Sequence, residues 1–271
     1  MSSRRFAPKR SDERLKHSID DYTHDPRLQR PDKNPARLDF IQSATGLVLA
    51  LFIWAHMFFE SSILFGKEAM HTMTVFFEGY YFFGEKHPVF VTWLGLLIFG
   101  IFILHAFVAL RKFPASYRQY RIFRSHMKTM RHTDTSTWFV QIVTGFVMFF
   151  LGSVHLYIVI SQPGDIGPYA SSDRMVTEWM WPLYIVLLVA VILHAGIGSY
   201  RLCLKWGWFE GKNAKKSRRF LRKFQYGTIV FFMTLGLLSI ASYMKIGYEH
   251  RAHAGERYHP AYEKTVQGER P

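Results

Sequence analysis

The chain has 271 residues, 49% of them hydrophobic and 17% aromatic, yet its mean hydropathy is near zero because polar stretches dilute long apolar runs. The formal charge is +14, but the Lys and Arg residues lie between the apolar runs, where membrane topology calls for them, which argues against a nucleic-acid partner. Cys203 is the one cysteine, so an internal disulfide, a covalent Cys-x-x-Cys-His haem site and an all-cysteine iron–sulfur cluster are excluded, and no Gly-rich fingerprint opens a dinucleotide-binding unit.

Residues 1–37 are polar, rich in charge and proline, and hold no apolar run of the signal-peptide kind, so this basic N-terminal segment is expected in the cytoplasm. A first span follows at about 38–65, with Gln42 and Ser43 at its polar entrance and His56 deep along it. At a rise of about 1.5 Å per residue, such a run crosses about 30 Å of hydrocarbon with some tilt. The connection 66–88 is aromatic and sets Glu68, Glu78 and Glu85 against Lys67 and Lys86, as an outer loop would.

The second span, about 89–110, carries His105 and stops at Arg111 and Lys112. Arg118, Arg121, Arg124, Lys128 and Arg131 make the next connection strongly basic, hence cytoplasmic. The third span, about 137–160, enters at Trp138 and carries Gly145, Gly152 and His155; the loop 162–177 behind it is poor in positive charge apart from Arg174. The fourth span, about 179–204, opens on an aromatic belt and includes His194, Gly196 and Gly198.

A basic run from Lys205 to Lys223 brings the chain back to the cytoplasm, and the fifth span, about 224–246, has no histidine. The tail 247–271 is left in the periplasm. The expected fold is an all-α integral membrane domain, residues 38–246, with five transmembrane helices bundled around two stacked b haems. Each connection obeys the positive-inside rule with the N-terminus in and the C-terminus out.

The haems are read from the histidines. An imidazole in hydrocarbon must be paired or coordinated, and ionisable residues inside spans are rare and functional by default. Here four lie in four different spans. His56 and His155 each sit about eighteen residues, or about 27 Å of rise, from the cytoplasmic starts of outward-running spans. His105 and His194 lie about six to eleven residues before the cytoplasmic ends of inward-running ones. Axial ligands must approach an iron from opposite sides at one depth, so His56 pairs with His155 on a distal haem and His105 with His194 on a proximal one.

With both axial positions filled, such haems transfer electrons rather than activate oxygen. Glycines 145, 152, 196 and 198 would let a flat macrocycle approach the backbone, or serve ordinary close helix packing. Gln42, Ser43, Trp138 and Lys205 on one side and Arg174 on the other suit haem propionates, though Lys205 and Arg174 also read as interfacial charges.

These residues stand within long strings: Leu38-Asp-Phe-Ile-Gln-Ser-Ala-Thr-Gly, Ala55-His-Met-Phe-Phe, Arg111-Lys-Phe-Pro, Tyr117-Arg-Gln-Tyr, Phe149-Phe-Leu-Gly-Ser-Val-His-Leu-Tyr, Glu178-Trp-Met-Trp-Pro-Leu-Tyr and Lys205-Trp-Gly-Trp-Phe. Over about residues 38–204 the chain resembles the five-helix di-haem cytochrome b anchor of quinol:fumarate reductases and succinate:quinone reductases. The resemblance implies that the four histidines ligate two haems, and that an FAD-bearing flavoprotein subunit and an iron–sulfur subunit sit on the cytoplasmic face. It further implies menaquinone as substrate near the distal haem, location in a bacterial cytoplasmic membrane, a role in anaerobic respiration, and compatibility with a dimer of heterotrimers.

By position Glu78 is the acidic residue that accepts the quinol proton in such proteins; on its own it reads as a solvated loop carboxylate. One departure stands out. Well-studied members carry a glutamate two residues before the fourth-span histidine, and here that position is Ile192. The competing readings are the cytochrome b of a membrane hydrogenase, formate dehydrogenase or nitrate reductase, a histidine-bearing proton or metal transporter, and a purely structural anchor.

Overall fold

The computed structural model describes residues 33–114, 116–130 and 133–260. The expected basic segment up to residue 32, Arg131 and the tail from 261 lie outside the described residues. Those described are helical, without a strand among them: α1 (Asn34–Glu60), α2 (Lys67–Phe77), α3 (Tyr80–Phe83), α4 (Val89–Leu110), α5 (Tyr117–Met130), α6 (Thr133–Ser161), α7 (Pro168–Val176), α8 (Trp181–Trp206) and α9 (Ala214–His250). Five are long and apolar enough to cross a membrane: α1 with its 3₁₀ extension to Phe65, α4, α6, α8 and α9. The chain is a multi-pass membrane protein.

The ends differ from the sequence reading where polar residues prolong an apolar helix. The last span is 37 residues long, Ala214–His250, where the apolar run suggests about 224–246. At about 1.5 Å per residue it measures about 55 Å, well beyond the hydrocarbon thickness. Its extra first turns are Lys- and Arg-rich, good helix formers whose stems can lie along the apolar surface while the charges stay in water. Asn213 starts it by accepting the Lys216 N–H at 3.0 Å. At the end of α8, Gly207 adopts φ 66° and its N–H caps the Cys203 carbonyl, a left-handed turn that glycine enters without steric cost.

Between lipid-facing helices there is no water to expel, so tight packing rather than hydrophobicity holds the bundle. Many large side chains face outward, Phe107 at 75% exposure and Phe150 at 66% among them, a surface suited to acyl chains. Inside, Met57, Leu188, Val191, Ile192 and Phe232 join the first, fourth and fifth spans. Glycines make the close approaches: Gly236 lies against Leu188 and Met57, Gly196 against Ile229, and Gly95 against Ile160.

Both connections read as outer loops contain helices, and they are tied together. The end of α9 packs on α7, with Gly247 against the Ser172 carbonyl. Buried His250 Nδ1 is 3.0 Å from Asp173 Oδ1, Tyr169 stacks on His250 at 3.9 Å, and the Gly255 N–H donates to Asp173 Oδ2. Arg257 pairs with Asp165 at 3.0 Å, and the Tyr258 hydroxyl donates to Glu68 at 2.7 Å. At the opposite end Arg222 pairs with Asp134 at 2.7 Å, joining α9 to α6.

The Gly247 contact is main chain against a Cβ position, so it cannot relax by rotating a side chain. Gly247→Val should therefore lower the thermal midpoint of the detergent-purified protein by the equivalent of about 1–3 kcal/mol. Gly227→Ala, inside the same helix at a site with nothing within 4 Å, should hold the midpoint or raise it slightly; equal midpoints for the two variants would show that the α7–α9 junction is loose.

Candidate functional site

The four histidines meet as two pairs. The ring centroids of His56 and His155 are 6.1 Å apart with a 50° tilt, and those of His105 and His194 are 6.5 Å apart at 85°. Two metal–nitrogen bonds of about 2 Å, with half an imidazole at either end, separate ring centroids by roughly 6 Å, so both spacings suit a pair of axial ligands. Each pair joins two spans that alternate in direction with the two spans of the other.

A cavity of about 470 Å³ holds the His105–His194 pair. Its walls are apolar, with Leu49, Ile53, Phe102 and Phe149 among them, while Gln42, Ser43, Trp138 and Lys205 line one part. Lys205 Nζ donates to Ser43 Oγ at 2.7 Å, joining the ends of the fourth and first spans. Buried Gln42 Oε1 makes no hydrogen bond among the described residues. Apolar walls for a flat macrocycle, with donors and cations gathered for carboxylates, fit a haem with its propionates.

Each of these rings is held from behind. His194 Nδ1 lies 2.8 Å from the Gln141 carbonyl and 3.4 Å from Thr144 Oγ1. His105 Nδ1 lies 3.0 Å from Thr45 Oγ1, with the Gln42 main chain also in reach. A neutral imidazole donates through one nitrogen and accepts through the other, so Nδ1–H held by a carbonyl or hydroxyl leaves Nε2 free to coordinate.

Glycine explains how the rings fit. A Cβ at Gly46 would stand 2.9 Å from His105 Cε1, and one at Gly145 would stand 3.0 Å from His194 Cε1. Gly198 leaves room for Gln141, whereas Gly196 serves packing against Ile229, and Gly152 has only ordinary contacts with Phe102 and Leu187.

Around the other pair, His56 stacks on Phe52 at 5.6 Å and 9°. His155 Nδ1 is 3.4 Å from the Tyr184 hydroxyl, with the two rings edge to face. The Arg174 guanidinium also reaches that hydroxyl, and its Nη2 donates to the Asp165 carbonyl at 3.0 Å. Buried Arg174 Nε makes no hydrogen bond among the described residues. Arg174 thus stands beside the His56–His155 pair, away from the Lys205 cluster.

Glu78 is not the solvated loop carboxylate that its sequence context suggests. It caps the end of α2, is 6% exposed, and shares a buried face with Met70, His71, Thr74 and Val75. Burial pushes its carboxyl above the usual carboxylate range, against the opposing pull of Lys86 and Arg257. Met70 packs with Ile63, Met175 and Tyr243, a cluster that also touches Tyr184. Through Tyr184, the wall carrying α2 adjoins His155.

Sequence reasoning missed several participants. Arg201 and Lys112 also line the cavity. Arg201 was legible in principle, since it precedes Lys205 by one turn on the same helix face. Thr45 and Gly46 sit inside a quoted string, but nothing local marks them as partners of a histidine sixty positions away. Tyr184 had no signal, being one aromatic in a belt of them.

Residues 117–241 match the family of succinate dehydrogenase/fumarate reductase transmembrane subunits. The chain is 52% identical over 221 residues to the fumarate reductase cytochrome b subunit of Wolinella succinogenes, covering 82% of this chain and 86% of that one. It is 50% identical over 216 residues to the protein of the same name from Helicobacter pylori strain 26695, covering 80% and 83%. At about half identity over four-fifths of its length, the chain belongs to the fumarate reductase cytochrome b subunits, within the succinate dehydrogenase/fumarate reductase transmembrane subunit family.

Proposed function

We propose that this chain is the di-haem membrane anchor of a menaquinol:fumarate reductase or succinate:menaquinone oxidoreductase, carried by one observation: two facing imidazole pairs at the distance axial ligands need. His56 and His155 hold a distal haem b, His105 and His194 a proximal one. Bound there, the haems supply one-electron carriage between menaquinone near the outer face and the iron–sulfur and FAD-bearing flavoprotein subunits on the cytoplasmic face. Gln42, Ser43, Trp138 and Lys205 hold the proximal propionates, with Arg201 and Lys112 adding charge; Arg174 serves the distal one.

The basic connections after α4 and α8 support a bacterial cytoplasmic membrane setting with the N-terminal segment 1–37 inside, the span domain 38–246, and the tail 247–271 in the periplasm. The single-chain anchor is compatible with a dimer of heterotrimers.

Glu78 accepts a proton when quinol is oxidised. A general base works best when its proton affinity lies near ambient pH, and burial moves this carboxyl that way. The linkage sign follows. A carboxyl that binds its proton more tightly folded than unfolded favours folding at low pH, and that contribution is lost as pH rises through the folded value. Glu78→Gln should gain thermal stability relative to wild type as pH rises from about 4 to about 7, read from melting scans in detergent; an offset independent of pH contradicts the buried carboxyl.

Ile192 is fully buried among Met57, Leu188, Val191 and Phe232, so nothing at that position can carry a proton. Electrons running inward from an outer quinol move against the membrane potential, at about 2.3 kcal/mol per 100 mV for each charge. Transfer is therefore electrogenic, or the complex works in the cell as a succinate oxidase driven by the potential. Proteoliposomes holding the whole complex should show charge movement during fumarate reduction by menaquinol; electroneutral turnover contradicts this reading.

The assignment itself is tested by an optical redox titration of the purified protein beside His56→Ala and His105→Ala. Two b-type components are expected, with a different one lost in each variant. A colourless wild type would return the histidines to transport or packing.

A further inference from the structure

The two ring pairs are supported by different kinds of group. Behind His105 and His194 stand main-chain and threonine oxygens on neighbouring helices. Behind His155 stands the phenol of Tyr184, on a different span, with its oxygen 3.4 Å from Nδ1. Tyr184 is itself braced: it packs against the Ile63–Met70–Met175–Tyr243 cluster, and its ring meets the His155 ring edge to face at 5.6 Å and 83°. The Arg174 guanidinium, a group that can only donate, reaches the same oxygen. His155 Nδ1 therefore faces an oxygen able to accept its proton.

We propose that Tyr184 is the positioning residue of the His56–His155 site: its phenol oxygen accepts the Nδ1 proton of His155, which leaves Nε2 as the coordinating nitrogen and sets how strongly that ring donates to a metal. The inference rests on the haem assignment above. Hydrogen bonds behind a ligating imidazole fix its tautomer and orientation and raise its basicity. A more basic axial ligand stabilises the oxidised iron, so the hydroxyl holds the potential of this haem down without affecting the other. Unlike a main-chain carbonyl, it can be removed by one substitution.

The test is a redox titration of the purified whole complex carrying Tyr184→Phe, read by optical and low-spin EPR spectra. Phenylalanine keeps the edge-to-face packing and removes only the oxygen. Both b-type components should remain, with the midpoint of the component that His56→Ala abolishes raised by about tenfold in its reduction equilibrium, or ~59 mV for one electron. Its EPR signal should move as well, and the other component should not. Unchanged midpoints, an equal shift of both components, or a midpoint shift with an unchanged EPR signal overturns the proposal; the last would mean that only the Arg174 charge had moved.

Should Tyr184→Phe lose that component altogether, Tyr184→Gln decides, since its amide oxygen can accept the same proton: recovery supports the proposal and continued loss overturns it. A wild-type complex without two b-type components overturns the haem assignment itself, before any Tyr184 variant is made.

Discussion

Hydrocarbon offers no hydrogen bonds, and the rest of this structure follows from how four imidazoles are accommodated in it. Each ring needs a partner for the nitrogen facing away from its mate, and a partner costs a close approach of backbone or hydroxyl. His194 finds the Gln141 carbonyl and His105 finds Thr45, each a residue on the neighbouring span. These contacts fix the rotation of α1, α4, α6 and α8 about their own axes and their relative height. The glycines at 46 and 145 follow, because any side chain there would occupy the space of a ring.

The fifth span has a different task. It carries none of the four paired histidines, and it packs on α8 through Leu188, Gly196 and Gly236, on the first span through Met57, and on α7 at its far end. It buttresses the helix that carries His194 and Tyr184. Its length lets both ends leave the bilayer, where polar partners hold them: Arg222 pairs with Asp134 at one end, and His250 Nδ1 lies 3.0 Å from Asp173 Oδ1 at the other. The second contact lies between buried groups, with Tyr169 stacked on the imidazole.

Much of this was legible because transmembrane helices announce themselves. Apolar runs of bilayer length and basic connections gave five spans, and depth along each span grouped the histidines as the ring contacts group them. Helix α9 extends beyond the apolar run at both ends, where charge continues the helix, since hydropathy reports lipid contact and not backbone hydrogen bonding. The helices inside the connections were missed for the converse reason: α2 and α7 are short and amphipathic, and they are ordered by the ends of other spans. Side-chain partners such as Tyr184, and the burial of Glu78, depend on contacts between segments far apart in sequence, which no local pattern encodes.

Among the described residues, the polar side chains around the histidine pairs gather in two zones. Toward one end lie Gln42, Ser43, Gln141, Arg201 and Lys205 around the His105–His194 cavity. Toward the other lie Tyr184, Arg174, Tyr243 and Glu60, the last two joined by a 3.0 Å hydrogen bond. Between them sits the apolar cluster of Met57, Leu188, Val191, Ile192 and Phe232. An electron crosses such a cluster readily, since tunnelling needs only proximity, whereas a proton needs a chain of donors and acceptors. On the function proposed above, this cluster would separate the two kinds of charge, with Ile192, fully buried, one turn from Leu188 and two residues from His194, inside it.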